Sequence, residues 1–214
     1  WSSDVCSSDL HQPTAGEIYI DGKRVVIHSP KDSIALGIGM VQQHFSLVPS
    51  MTVAENIVMG KPQNEKNGLI DKRKSIEIVE EISRKYNLTV NPSALVKELP
   101  VGLQQRVEIL KALYLGANIL IMDEPTAVLT PQEINQLFIT LDELRNQGKS
   151  IILITHKLSE VTAITDRITV MRLGKTVGTI DTKETTEHEI ARMMVGREVL
   201  MSVEKDISEP KEIV

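Results

Sequence analysis

The stretch Asn118-Ile-Leu-Ile-Met-Asp123-Glu124-Pro125 constrains this chain of 214 residues more than any other. Its apolar residues follow one another without polar alternation. Such a run suits a strand covered on both faces, the usual condition in a parallel sheet. Two later segments, SIILIT (150–155) and RITVM (167–171), read as buried strands of the same kind, with helical patterns between them. Buried strands alternating with helices imply an α/β fold with a parallel core sheet. In doubly wound sheets ligands gather beyond the carboxyl ends of the strands. The first run therefore delivers Asp123 and Glu124 to the place where a ligand is expected.

The remaining segments fill in around that sheet. GEIYI, Asp21-Gly22 and KRVVI form a hairpin signal, a turn dipeptide between alternating residues. Ser29-Pro30 opens a short helix ending near Gly37, a capping hydroxyl followed by proline at the first helical position. IGMV (38–41) is a short strand leading into QQHFSLVPSM. Thr52-Val-Ala-Glu55 has capping-box spacing and opens a helix. KPQNEKNG (61–68) is polar and reads as a surface loop. The segment 71–87 is an amphipathic helix, apolar at Ile76, Val79, Ile82 and Tyr86, with its charges on a solvated face. Further helices run through LQQRVEILKALYL, PQEINQLFITLDELRNQG, KLSEVTAI and TTEHEIARMMV. LGKTVGTID makes a second hairpin.

Composition removes several function classes. The net charge of −5 argues against a nucleic-acid footprint, which wants a basic face. No apolar run approaches the length that spans a bilayer. The single cysteine, Cys6, cannot form an internal disulfide.

Four segments carry chemistry. At the end of the first strand, one carboxylate, Asp123, suits Mg²⁺, a hard cation that takes oxygen ligands. The next, Glu124, suits proton acceptance from an attacking water. His156, just past SIILIT, would face the same crevice if its strand runs parallel to the first. In Leu99-Pro100-Val101-Gly102-Leu103-Gln104-Gln105-Arg106 a glycine lies at a helix start, where free amides attract anions. Gln42-Gln43, after IGMV, offers side-chain oxygens on a loop.

In this order, these segments resemble the ATP-binding subunits of ABC transporters. VQQHFSLVPSMTVAEN is similar to the Q-loop, with Gln43 at its glutamine. LPVGLQQRVEILKAL is similar to the signature motif. NILIMDEP resembles the Walker B strand, TAVLT occupies the D-loop, and His156 stands at the switch histidine. The resemblance covers about residues 11–199, with a helical subdomain over about 52–116. DEPTAVLTPQE, LPVGLQQRVEILKAL and MVGREV resemble the first cassette of the tandem ATPases that serve simple-sugar and nucleoside importers, nearest the nucleoside (purine-type) branch.

The resemblance implies ATP and Mg²⁺ as cofactors. It places Glu124 and His156 in catalysis and Asp123 and Gln43 at the metal. Nucleotide would be held by Gln43, Asp123, Pro100, Val101, Gly102 and Gln104. The implied partners are a second ABC cassette in the same chain, two membrane permease subunits and an extracytoplasmic solute-binding protein, with no nucleic acid. The implied location is the cytoplasmic face of the membrane, as a peripheral subunit. Two alternatives stay open. One is a cassette that binds nucleotide only to regulate. The other is a soluble ABC ATPase unconnected with transport, although no cysteine cluster, long heptad run or basic block supports it.

The sequence departs from the family pattern at several places. Pro100 and Val101 replace the signature serine and first glycine, and Thr130 holds the D-loop aspartate position. The phosphate loop GxxxxGK[ST], expected with its strand and helix before QPTAGEIYIDG, occurs nowhere in the chain. WSSDVCSSDL (1–10) stands there and reads as a foreign junction resembling a translated adaptor scar. Residues 200–214 read as a linker toward a second cassette. The resemblance also implies that the phosphate-loop strand would lie between SIILIT and RITVM. Ile152, Ile154 and Val170 are therefore expected to lose part of their cover.

Overall fold

The computed structural model describes residues 13–43, 45–59, 65–66 and 69–196. The decamer 1–10 and the linker 200–214 lie outside them. The chain divides into two compact units, one up to His156 and one from Lys157 onward.

The first unit opens with the expected hairpin, β1 (Ile18–Ile20) and β2 (Lys23–Val25), paired antiparallel. Asp21 and Gly22 both take positive φ, 49° and 73°, as a type I′ turn requires. Helix α1 (Pro30–Ala35) starts at Ser29, whose hydroxyl accepts from the Asp32 amide. Strand β3 (Ile38–Val41) follows. Helix α2 (Val53–Val58) carries the full capping box between Thr52 and Glu55. The stretch read as a polar loop contains part of a small ladder instead. β4 (Glu65–Lys66) pairs antiparallel with β5 (Leu69–Ile70). The Asn-Gly dipeptide that separates them in sequence is the composition that tight hairpins favour.

Helix α3 (Lys72–Lys85) is capped by the Asp71 carboxylate and buries Ser75, Val79 and Ser83, while its basic and acidic residues are exposed as expected. Helix α4 (Val101–Tyr114) buries residues almost all round, from Gln105 to Leu113, because it lies between α2 and the sheet. It approaches β3 closely. A Cβ on Gly39 would lie 2.9 Å from the Ala112 Cβ and 2.8 Å from that of Ala117.

Strand β6 (Ile119–Asp123) pairs in parallel with β3 on one side and with β7 (Ser150–Ile154) on the other, giving the order β3-β6-β7. Helix α5 (Pro131–Asn146) joins β6 to β7 and buries Leu137, Leu141 and Leu144. The parallel core sheet expected of an α/β fold is thus present. Its β6 residues Leu120 and Met122 are fully buried. Strand β7 has the partial loss of cover expected of it. Ile152 is 50% exposed and Ile154 37%. Among the described residues β7 is the sheet edge, and one of its faces is open.

The second unit consists of α6 (Leu158–Ile164), β8 (Arg167–Arg172), β9 (Lys175–Asp181) and α7 (Glu187–Val195). RITVM, read as a further buried strand, belongs instead to an antiparallel hairpin with β9. Only Ile168 and Val170 of β8 point inward, packing with Ile190 of α7, while Thr169 and Met171 face out. One-sided cover is what antiparallel hairpins commonly have. Val170, expected to lose cover, is 4% exposed. Among the described residues no helix is long and apolar enough to cross a membrane.

Candidate functional site

The parallel register sets the site. Val41 pairs with Met122, and Asp123 with Ile154, so three strands end at one edge of the sheet. Gln43, Asp123-Glu124 and His156 follow directly from those ends.

Asp123 is the last residue of β6 and is 6% exposed. Burial, and then the neighbouring Glu124 charge, holds its carboxyl above the usual carboxylate range. Glu124 leaves the strand in the left-handed region, with φ of 43°, a conformation uncommon for a residue with a side chain. Two contacts fix it there. Its amide donates to the Ile154 carbonyl at 2.8 Å, and its Oε1 lies 2.9 Å from His156 Nδ1. With the proton on Nδ1 the neutral imidazole donates to Glu124 and keeps Nε2 as an acceptor. The Glu124 side chain is 32% exposed and that of His156 66%, so the pair is open to solvent and to ligand.

Gln43 does not line the same space as that pair. It borders a cleft of about 400 Å³ with Phe45, Val101, Gln104 and Val128, whose walls do not include Asp123, Glu124 or His156. The start of α4 is thereby brought to the loop after β3. Pro100 occupies the N-cap of α4 and supplies no side-chain cap. The Gln104 amide turns back to the Leu99 carbonyl at 2.9 Å. The Gly102 amide donates to Glu133 Oε1 at 3.3 Å. A Cβ at Gly102 would lie 2.6 Å from that oxygen, so only glycine admits the carboxylate this closely.

Three residues near the site escaped the sequence reading. Glu133 was detectable, because Thr130-Pro-Gln-Glu133 has capping-box spacing, and the structure contains both bonds of that box. Gln105, 2% exposed, donates to the Pro125 carbonyl at 2.8 Å, and nothing in the sequence singles it out from Gln104. Glu108 is buried in α4, with Oε1 unpaired.

Comparison with known proteins decides the family. The family described as ABC transporter matches residues 6–127. The chain belongs to the ABC transporter family. Among curated ABC relatives, the nucleoside import ATP-binding protein NupA of Lactococcus lactis is 49% identical, covering 97% of this chain and 41% of the relative. The guanosine import ATP-binding protein NupO of Bacillus subtilis is 52% identical, over 94% of this chain and 39% of the relative. A ribose import ATP-binding protein of Rubrobacter xylanophilus is 44% identical, over 90% and 39%. The chain thus spans about two fifths of the length of these curated relatives. Of solved ABC structures, cbiO1 from Clostridium perfringens superposes with a TM-score of 0.69 at 25% identity, covering 85% of this chain and 73% of that one. An ATP-binding cassette in its ADP conformation superposes at 0.71 and 24%, covering 89% and 77%, and supports the α/β ABC ATPase fold.

Proposed function

We propose that this chain is part of the ATP-hydrolysing subunit of an importer for nucleosides or related simple sugars, that it corresponds to the first of two cassettes without its phosphate loop, and that hydrolysis belongs to the intact protein. The observation that carries the reading is the Glu124–His156 pair. A carboxylate held by backbone and imidazole at the end of a parallel strand is suited to orient or deprotonate a water. The relatives' names supply the solute class, and their greater length supplies the second cassette.

The residues present fit Mg²⁺. Asp123 is a buried carboxylate beside a second one, an arrangement relieved by a hard divalent cation. No group of three or more His, Cys, Asp or Glu converges among the described residues. Mg²⁺ usually keeps several waters and takes only one or two carboxylates from the protein. Asp123 would hold it, Gln43 would join as a second oxygen donor if its loop turned from the neighbouring cleft toward Asp123, and the ion would neutralise phosphate charge. Pro100, Val101, Gly102 and Gln104 would border nucleotide bound to the partner cassette.

One observation favours a regulatory cassette instead. The α4 start lacks a side-chain cap, Gln104 is turned onto Leu99, and Gly102 is bonded to Glu133, so this signature offers few free donors. We read this as asymmetry between two sites, because the Glu124–His156 pair is intact. The test reconstitutes the two-cassette protein with its permeases and solute-binding protein. ATP turnover that rises when the binding protein carries a nucleoside supports the proposal. Turnover indifferent to permease and binding protein favours a soluble ATPase, and no turnover favours the regulatory cassette.

A further inference from the structure

The segment that follows Glu124 is held from one side by a single turn of α4. Gln105 Nε2 donates to the Pro125 carbonyl at 2.8 Å in a buried contact. Three residues earlier on the same helix, the Gly102 amide donates to Glu133 Oε1 at 3.3 Å. The other oxygen of Glu133 accepts from the Thr130 amide and hydroxyl, both at 2.9 Å. Positions i and i+3 lie on one face of a helix. That face therefore grips the connection from Glu124 to α5 at its two ends, Pro125 and Thr130. Between them the connection is braced by its own turns, Ala127 amide to Glu124 carbonyl at 3.1 Å and Leu129 amide to Thr126 carbonyl at 3.3 Å.

We propose that Gln105 and Glu133 are positioning residues, a two-point clamp through which α4 sets the backbone of Glu124. Neither touches Glu124 or His156; both act through the loop. Glu124 sits at φ of 43°, a conformation that persists only where its surroundings over-determine it. The Ile154 carbonyl and His156 hold it from β7, and the clamp holds the peptide on its other side. A shift at the start of α4 would therefore reach Glu124 without any change in the sheet. Gly102 is part of the device, since a side chain there would displace Glu133. The catalytic half of this inference rests on the ATPase reading; the mechanical half does not.

The experiment uses the intact two-cassette protein with Gln105→Met, which keeps side-chain length and apolar packing but removes the donor. Glu133→Gln is the second variant, keeping a cap for Thr130 while removing the charge that draws the Gly102 amide. Two readouts are taken, ATP kinetics and hydrogen exchange at the amides of Ala127 and Leu129. The expected result is a kcat lowered at least about fivefold with KM within about twofold, together with faster exchange at both amides. Unchanged exchange in both variants overturns the clamp. Faster exchange with unchanged kcat, or with kcat and KM moving together, overturns the positioning role. If the wild-type protein shows no turnover, the ATPase reading fails, and exchange alone decides whether the clamp exists.

Discussion

Glu124 is tied to the segment ending in His156 at two points, by its amide to the Ile154 carbonyl and by its carboxylate to the His156 ring. The strained residue and the exposed histidine therefore form one unit. In the intact protein Glu124→Gln is expected to lower turnover by about 10²–10⁴, the usual cost of removing a positioned base. His156→Ala should also lower it. The double variant should be little worse than Glu124→Gln alone, since residues acting as a unit are not additive. Steady-state ATPase rates for the four proteins check this. Additive losses would show two independent roles.

This pair was legible in the sequence for a physical reason. A continuous apolar run ending in carboxylates, and a second ending in Thr-His, deliver their polar ends to one edge if the strands are parallel, and the observed register does so. What was not legible depended on neighbours. SIILIT has the composition of a buried strand, and only the family resemblance, which puts a further strand beside it, led to the expectation that Ile152 and Ile154 lose cover, because cover belongs to the surroundings and not to the strand. RITVM looks similar but alternates, since its partner is an antiparallel hairpin strand. Thr130 reads as a lost aspartate. Its service as the cap of α5 comes from Glu133, three residues on.

The first residue of the altered signature gives a second expectation. Pro100 caps α4 without a side-chain bond. Pro100→Ser should restore a capping hydroxyl worth about 1 kcal/mol, a rise of about 2–4 °C in the melting temperature of a domain this size. Turnover should change less than about tenfold, or about 1.4 kcal/mol in barrier, if this signature serves the weaker site. Calorimetry and rate measurement on one preparation check both halves. A larger rise in turnover would show that the proline limits the enzyme.

Glu108 gives a pH-dependent expectation. Burial pushes its carboxyl above the usual range, with the Lys111 charge and a bond from the Ser46 amide only partly offsetting this, and its Oε1 has no partner. A carboxyl raised in the folded state destabilises the fold when ionised. The penalty is absent below the unfolded-state value of about 4.3. It grows as pH rises above that and is complete beyond the folded-state value. Glu108→Gln should therefore stabilise the intact protein at pH 7, because it removes the buried charge while keeping the side chain's size. The gain should fade toward pH 4. Denaturant midpoints at the two pH values check the sign. A gain that grew on acidification would contradict it.

The open side of β7 bears on the chain of 214 residues by itself. Among the described residues β7 pairs only with β6, so its other edge presents unpaired amides and carbonyls. In register across the sheet, Met40, Ile121 and Ile152 lie on one row, and Ile152 at its end is 50% exposed. An apolar strand that is both edge and uncovered is a template for pairing with another copy. Expressed without partners, the chain is expected to associate into inclusion bodies or polydisperse soluble species. It should hydrolyse no ATP, having no GxxxxGK[ST] segment to hold phosphates. Ile152→Lys should shift the material toward smaller species by placing a charge on the uncovered row, while Ile139→Lys, on the exposed side of α5, should not. Light scattering after size exclusion checks the order of the three proteins. A wild-type chain that runs as a monodisperse monomer with one cooperative melt would show that the exposed row of β7 does not drive association.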